Sequence, residues 1–391
     1  MRRISFIIFM VTALLEVASY GDDSSQEESS LVRGKMSGWQ IHKYRGIATL
    51  KFSNEIPIPK INSPTDVLVE VHTSSVNPLD VMMMDGYGSK LLNLLRWKMQ
   101  NTEFPLTLGL EFYGVVKGKG KGVSNDINID DKVYGVTLPQ QGGCHAEFVV
   151  VDQILLRHKP EQLSDIEAGG LLYAGLTAWS SFYIWGLLGG LKGATTAEGG
   201  GKGKSVCILG ASGGVGTIAV QMMKAENVNV TATCSTSAMP LVRRLGADNI
   251  IDYTQANYTE QFRGLSFDII LDSAGLGAEY ATKVPWQFTE YITLFPPLLR
   301  NIDSNGVVLG SLESLNTLLN NNLATLSRHK GFIMWGIFTP APQGIEYLTK
   351  LAEGGKLKPI VDTVYEFKDM KLAYQKVVKG HLRGKVIVKI K

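Results

Sequence analysis

The chain is poor in cysteine: its 391 residues hold three, Cys144, Cys207 and Cys234. An odd count with no Cys-x-x-Cys pair excludes a disulfide framework and a thiolate zinc cluster. Cys207 and Cys234 fall inside apolar, strand-like runs, where cysteine serves as a small buried hydrophobe. This usage points to a reducing compartment. Excess charge is lacking too. A formal net charge of +3 gives no reason to expect nucleic acid or an anionic membrane as partner. No repeat of about 20–50 residues is visible, which excludes solenoids and propellers. A long apolar run is also missing, because Ile4 to Leu15 is too short to cross a bilayer comfortably.

That short run follows Arg2 and Arg3 and precedes the small residues Ala18 and Ser19, the shape of a secretory signal peptide. Glu16 interrupts it, and no sharp small-x-small cleavage site follows. Asp22 to Ser30 is acidic and serine-rich, a composition that stays disordered. A mitochondrial presequence would be arginine-rich and poor in acids. Read from its residues, the leader favours secretion or membrane tethering.

What is present centres on Ser205 to Gly216, Ser-Val-Cys-Ile-Leu-Gly-Ala-Ser-Gly-Gly-Val-Gly. An apolar strand meets a glycine cluster, then an amphipathic helix over Thr217 to Glu226 and a second strand over Val228 to Cys234. This is the order of a dinucleotide-binding βαβ unit. Glycine lets the backbone turn tightly and approach a pyrophosphate, and the helix N-terminus offers that anion unpaired N–H groups.

Folded sequence is expected from near Trp39. Trp39 to Phe52 reads as two short strands around Gly46, and Val67, Val69 and Val71 alternate along a longer one. Asn77-Pro78 opens a short helix. Leu91 to Met99 reads as a helix over a cleft or as a substrate lid, and Lys117 to Gly122 as a solvated hairpin. Turn-rich β structure continues to Val151, after which Ser164 to Gly186 is helical in pattern, with Ser164 and Glu167 forming a capping box. Past a flexible loop at Gly199–Gly203 and the βαβ unit, strands are predicted at Asn249–Ile251, Phe267–Leu271 and Val307–Leu309, alternating with helices. The tail from Lys358 returns to β character around a helix at Met370–Lys379.

The second strand of the βαβ unit ends in Cys234-Ser235-Thr236, without the acid that selects NAD through the ribose 2′-hydroxyl. Ser235 offers a donor, and Arg243 or Arg244 a cation, for a 2′-phosphate. NADPH is therefore the expected cofactor, with Tyr253 at the end of the next strand packing on the adenosine end.

The chain resembles the zinc-free quinone-oxidoreductase branch of the medium-chain dehydrogenases/reductases, and within it the reticulon-interacting mitochondrial subfamily. The resemblance runs from Gly38 to Lys391 and is carried by Ser75 to Asp80, Phe104 to Gly109, Leu176 to Trp179, Ile208 to Gly216, Leu245 to Asp248 and Gly380 to Lys385. It implies an α/β architecture: a split GroES-like β-rich domain with an inserted Rossmann doubly wound parallel sheet. The expected boundaries are a leader over 1–36, the GroES-like catalytic domain over 37–165, the NADPH-binding domain over 166–345 and a return to the catalytic domain over 346–391.

By the same resemblance, Ser212, Gly214 and Val215 hold the pyrophosphate, with Gly213 of the same loop between them, and Ser235 and Tyr253 hold the adenosine phosphate end, where Arg244 is the cation already expected from the residues. Leu294, Ile333, Trp335, His381, Leu382 and Arg383 belong to segments expected on the nicotinamide side. Zinc relatives carry cysteine where Asn77 stands and Gly-His-Glu where this chain has Gly109-Leu110-Glu111, so no catalytic zinc is expected. Without a metal, hydride must go to an acceptor activated by conjugation, and the protein supplies orientation and hydrogen bonds. Asn77 and Tyr87 are the candidate donors, with Asp80 orienting their loop. Met84 and Asp272-Ser273-Ala274-Gly275-Leu276 depart from the family pattern on the substrate side.

The resemblance further implies a mitochondrial location and a link to coenzyme Q (ubiquinone) biosynthesis. Expected partners are a small-molecule quinone or enone, a reticulon-type membrane protein and a second copy of the chain as a homodimer. Two alternatives stay open: an enoyl or alkenal reductase, and an NADPH-binding interaction protein with little turnover. The apolar stretches Leu91–Trp97 and Ile292–Leu299 would supply the surface for the latter.

Overall fold

The computed structural model describes residues 34–98, 102–186, 188 and 201–391. Of the expected leader only residues 34–36 fall among them, and Gly199 and Gly200 of the glycine loop lie outside them. No helix among the described residues is long and apolar enough to cross a membrane.

Strands β1 (Lys35–Ile41) and β2 (Lys51–Pro57) pair antiparallel, so regular structure starts slightly before Trp39. The valines at 67, 69 and 71 are fully buried along β3 (Asp66–Val76), as their period of two requires. Helices α1 (Pro78–Met84) and α2 (Ser89–Lys98) follow, then β4 (Leu106–Thr107), which pairs with β1. Strands β5 (Glu111–Lys119), β6 (Lys132–Val136), β7 (Phe148–Asp152) and β8 (Leu156–His158) extend the sheet begun by β3.

The capping box at Ser164 forms, with its N–H donated to Glu167 (2.7 Å) and its hydroxyl accepting the Glu167 N–H (3.3 Å). The helix it starts is shorter than the sequence pattern suggests. Helix α3 (Asp165–Ala168) stops at Gly169, α4 (Leu172–Trp179) begins afresh, and a π-helical turn covers Ser180–Trp185. The break is a packing constraint. A Cβ at position 169 would lie 2.2 Å from the Thr73 hydroxyl, so the chain touches the first sheet there.

The second sheet comprises β9 (Ser205–Leu209), β10 (Asn229–Cys234), β11 (Asn249–Asp252), β12 (Ser266–Asp272), β13 (Gln287–Thr293) and β14 (Phe332–Trp335). Its order is β11-β10-β9-β12-β13-β14 with every pair parallel, the doubly wound arrangement. The chain reverses direction across the sheet at β9 and β12, so the ligand crevice is expected at their carboxyl ends. Helices α5 (Gly214–Ala225), α6 (Met239–Arg244), α7 (Gly277–Lys283), α8 (Leu298–Asn305), α9 (Val307–His329) and α10 (Pro342–Glu353) complete this part.

The strand expected at Val307–Leu309 is instead the first turn of α9, where Val308 and Leu309 are 72% and 65% exposed. Gly306 (φ 82°) reverses the chain after α8, and Gly310 packs against the Asn301 backbone, so helix-on-helix contact decides this segment. The sixth strand is β14. Asn322 of α9 donates to the Ile333 carbonyl (3.1 Å) and accepts its N–H (2.8 Å), closing that sheet edge at this point.

Strand β15 (Val361–Glu366), helix α11 (Met370–Lys379) and strand β16 (Lys385–Lys389) return to the first sheet, whose order is β15-β16-β3-β5-β6-β8 with β7 on β3. Val386 stands opposite Val76. A buried histidine fastens this return. His145 donates from Nε2 to the Ser75 carbonyl (3.1 Å) and accepts at Nδ1 from the Tyr374 hydroxyl of α11 (2.9 Å). Burial pushes its pKa down to about 4.

Between pH 6.5 and 4 the unfolded chain takes up a proton at His145 that the native state refuses, so this contribution is lost as pH falls. Urea denaturation should show the wild-type advantage over His145→Gln shrinking by about 3 kcal/mol across that window. Parallel pH curves for the two proteins would rule this out.

Candidate active site

Strand β9 ends at Leu209, and Gly210 (φ 81°) turns the chain into the glycine loop. A Cβ at Gly216 would lie 2.3 Å from the Gly210 carbonyl oxygen, so only glycine lets α5 pack this close to the strand. A Cβ at Gly213 would meet only that same oxygen, at 3.6 Å, which leaves the loop open to a ligand. Ser212, Gly213, Gly214 and Val215 are half-buried around the N-terminus of α5. Free amides, a positive helix end and an open approach fit a dinucleotide pyrophosphate. Beside them the buried Asp272 carboxylate accepts the N–H groups of Ala274, Gly275, Leu276 and Gly277 at 2.7–3.2 Å. The segment that departs from the family pattern is thus a carboxylate-anchored loop.

At the end of β10, Ser235 and Ser237 place their hydroxyls 3.4 Å apart. Arg383 donates to the Ser237 hydroxyl (2.8 Å), while Arg243 and Arg244 stand exposed on α6. The cation that reaches this corner comes from the C-terminal segment. Tyr253 donates its N–H to the Cys234 carbonyl (3.2 Å) and leaves its ring 44% exposed beside the same corner. An acid is nearby, but Asp252 is occupied: it accepts from Thr236, from Thr254 N–H (2.9 Å) and hydroxyl (2.6 Å), and from Gln255 (3.1 Å). These bonds hold its carboxyl well below the usual range.

The other expected residues separate. Gly384 donates to the Ser212 carbonyl (2.9 Å) and bridges to Gly213, so the segment 381–384 lies across the glycine loop. His381 is exposed in a left-handed conformation (φ 53°), and Leu382 packs on the Trp39–Val76 core. Leu294 and Trp335 are half-buried at the ends of β13 and β14. Ile333 is a correction. It is fully buried in the core with Phe267, Tyr291 and Leu318, because alternation along β14 turns its side chain away from the strand's other face.

Asn77 is built into a buried polar network. It is buried, its amide hydrogens point to Ser75 Oγ (3.1 Å) and Glu111 (3.5 Å), and its oxygen accepts from Lys385. Ser75 Oγ and Glu111 Oε1 are themselves hydrogen-bonded neighbours and lie on one side of its amide nitrogen. Tyr87 is half-buried, and burial raises its hydroxyl pKa, which keeps it a proton carrier. Asp80 accepts the N–H groups of Asn77 (2.7 Å) and Gly109 (3.0 Å), and burial pushes its pKa up to about 7.

The residues that sequence reading missed form the centre. Lys385, 4% exposed, donates to Asn77 Oδ1 and to Glu111 Oε1 (2.8 Å). Glu111 also accepts from Ser75 and from the Tyr173 N–H (2.9 Å). Tyr173 stacks on Phe338 (4.6 Å between centroids), and the Lys385 ammonium stands over its ring at 5.7 Å. The one available signal was a charge opening an otherwise apolar strand, Lys385 on β16 and Glu111 on β5, and such charges usually sit in solvent. Among the described residues no group of three or more His, Cys, Asp or Glu is arranged to hold a metal ion.

The alcohol dehydrogenase GroES-like domain family matches residues 63–161, and the zinc-binding dehydrogenase family matches residues 245–388. A Drosophila melanogaster protein named NAD(P)H oxidoreductase RTN4IP1, mitochondrial, is 43% identical over 383 residues, covering 97% of this chain and 92% of that protein. The chloroplast envelope quinone oxidoreductase homolog of Arabidopsis thaliana is 28% identical, covering 90% of this chain and 98% of its own. In fold, the quinone oxidoreductase of Coxiella burnetii superposes with a TM-score of 0.69 at 23% identity, covering 92% of this chain and all of that one. The chain belongs to the RTN4IP1 family of NAD(P)H oxidoreductases, within the medium-chain dehydrogenases/reductases.

Proposed function

We propose that this oxidoreductase reduces quinones or other conjugated carbonyls with NADPH and without a metal. The observation that carries the reading is the buried Lys385 ammonium between Asn77 and Glu111. A fixed cation there repels a divalent ion and supplies positive charge of its own. The bound nicotinamide supplies the hydride. The chain's residues do the rest: the glycine loop and the α5 N-terminus hold the pyrophosphate, and Ser235, Ser237 and Arg383 hold a 2′-phosphate. Arg383 takes the part first expected of Arg244, because its guanidinium already reaches the β10 end. Ribose hydroxyls find no open acid there, since the Asp252 carboxylate is taken up internally.

We extend the reading to the mitochondrion and to ubiquinone biosynthesis, where quinone acceptors occur. The mitochondrial name of the Drosophila relative supports the location. An interaction role beside turnover is favoured by the exposed Trp97 (74%) and Phe295 (49%), which offer apolar contact to a reticulon-type membrane protein. A homodimer stays part of the proposal, with its contact away from the point where Asn322 closes β14.

Two outcomes test this reading. Fluorescence titration should give tighter binding of NADPH than of NADH. Arg383→Ala should erase about tenfold or more of that preference, while Arg244→Ala changes it less than about twofold. The reverse ranking would return the phosphate to Arg244. In the second test, purified protein should oxidise NADPH with members of a quinone and enone panel. Turnover confined to enoyl thioesters or alkenals would select the alternative reductase class.

A further inference from the structure

Hydride alone does not complete the reduction of a conjugated carbonyl; an oxygen or carbon of the acceptor must also receive a proton. Asn77 is a carboxamide, which offers a hydrogen bond but does not give up a proton as a general acid. The Lys385 ammonium spends two of its three N–H groups on Asn77 and Glu111 and lies 4% exposed behind the Tyr173 ring, where it acts as a fixed charge. Tyr87 is the second tyrosine of the cleft, near enough to Tyr173 for their charges to interact, with Arg300 and Asp303 of α8 beside it and no hydrogen bond or ring contact to Lys385 among the described residues. Tyr173 stands beside the Lys385 cation. Its ring is fixed by Phe338, its N–H by Glu111, and it is only half-buried. No described group takes its hydroxyl in a hydrogen bond, so that proton is free for a ligand.

We propose that Tyr173 donates the proton that completes acceptor reduction, with Lys385 as the fixed cation behind its ring. This rests on the hydride-transfer reading above. In the balanced step the acceptor gains two electrons and one hydrogen as hydride from the reduced nicotinamide, which is oxidised. An O–H or C–H bond forms to the acceptor as the Tyr173 Oη–H bond breaks. The tyrosinate then regains a proton from water. Lys385 is a positioning residue: its charge favours the transient tyrosinate through the ring face. Burial and the Asp80 and Glu111 carboxylates keep the resting hydroxyl protonated, as a donor requires.

The test compares wild type, Tyr173→Phe, Lys385→Arg and Lys385→Met/Glu111→Gln, the last removing both buried charges together. Phenylalanine keeps the stacking on Phe338 and deletes only the unpartnered hydroxyl. With an enone acceptor, kcat of Tyr173→Phe should fall about 10²-fold, and added imidazolium should restore part of the rate in that variant alone. Its NADPH affinity, read by fluorescence without turnover, should stay within about twofold. Lys385→Arg should keep most of the rate, and the neutral pair should lose about tenfold in kcat. Wild-type kcat in Tyr173→Phe overturns the proposal and leaves the reductase reading intact. Loss of NADPH binding in Tyr173→Phe also overturns it, since the hydroxyl would then serve the cofactor. A wild-type protein that binds NADPH but reduces no acceptor would overturn the reductase reading as well.

Discussion

The buried ion pair between Lys385 and Glu111 is the constraint on which the site depends. Taking an ammonium and a carboxylate out of water costs several kcal/mol per ion, so the pair persists only with its remaining donors and acceptors satisfied. Here they are satisfied by Asn77, Ser75 and the Tyr173 backbone. The pair joins strands 274 residues apart in the sequence. Lys385 opens β16 and Glu111 opens β5, with β3 hydrogen-bonded between them. Removing either partner would leave a lone charge in the core, so the C-terminal return of the chain is locked to its beginning.

The same lysine also couples the two halves of the chemistry. A Cβ at Gly214 would come within 3.0 Å of its Cδ, and the preceding Gly384 bonds to the glycine loop. Its charged end meets Asn77 and Glu111 while its stem lies against the glycine loop. A shift of the cofactor loop would therefore move the acceptor side as well. His145 secures the same strand ends from below through Ser75 and Tyr374, which gives this region two independent fastenings.

Much of the fold was legible in the sequence because its signals are local. The glycine loop, the Ser164 capping box, the alternating valines of β3 and the α11 helix each follow from short-range geometry and propensity. Legibility failed where long-range packing decides. Val307 to Leu309 has strand composition, yet α8 packing holds it in a helix, and Ile333 carries a site motif while its strand register buries it. In the site, the phosphate loop was readable from glycine spacing. The acceptor side was not, because Lys385, Glu111 and Tyr173 meet only through the sheet order.

By itself, the amino-acid sequence determined that a glycine loop meets a helix end and that the second strand of that unit ends without an acid. Both are properties of a few adjacent residues. Only the tertiary structure decided which arginine reaches the end of β10, and that a lysine near the C-terminus bonds both Asn77 and Glu111. Those contacts span 146 residues for Arg383 to Ser237 and 274 for Lys385 to Glu111. No local pattern encodes a juxtaposition created by the return of the last strand.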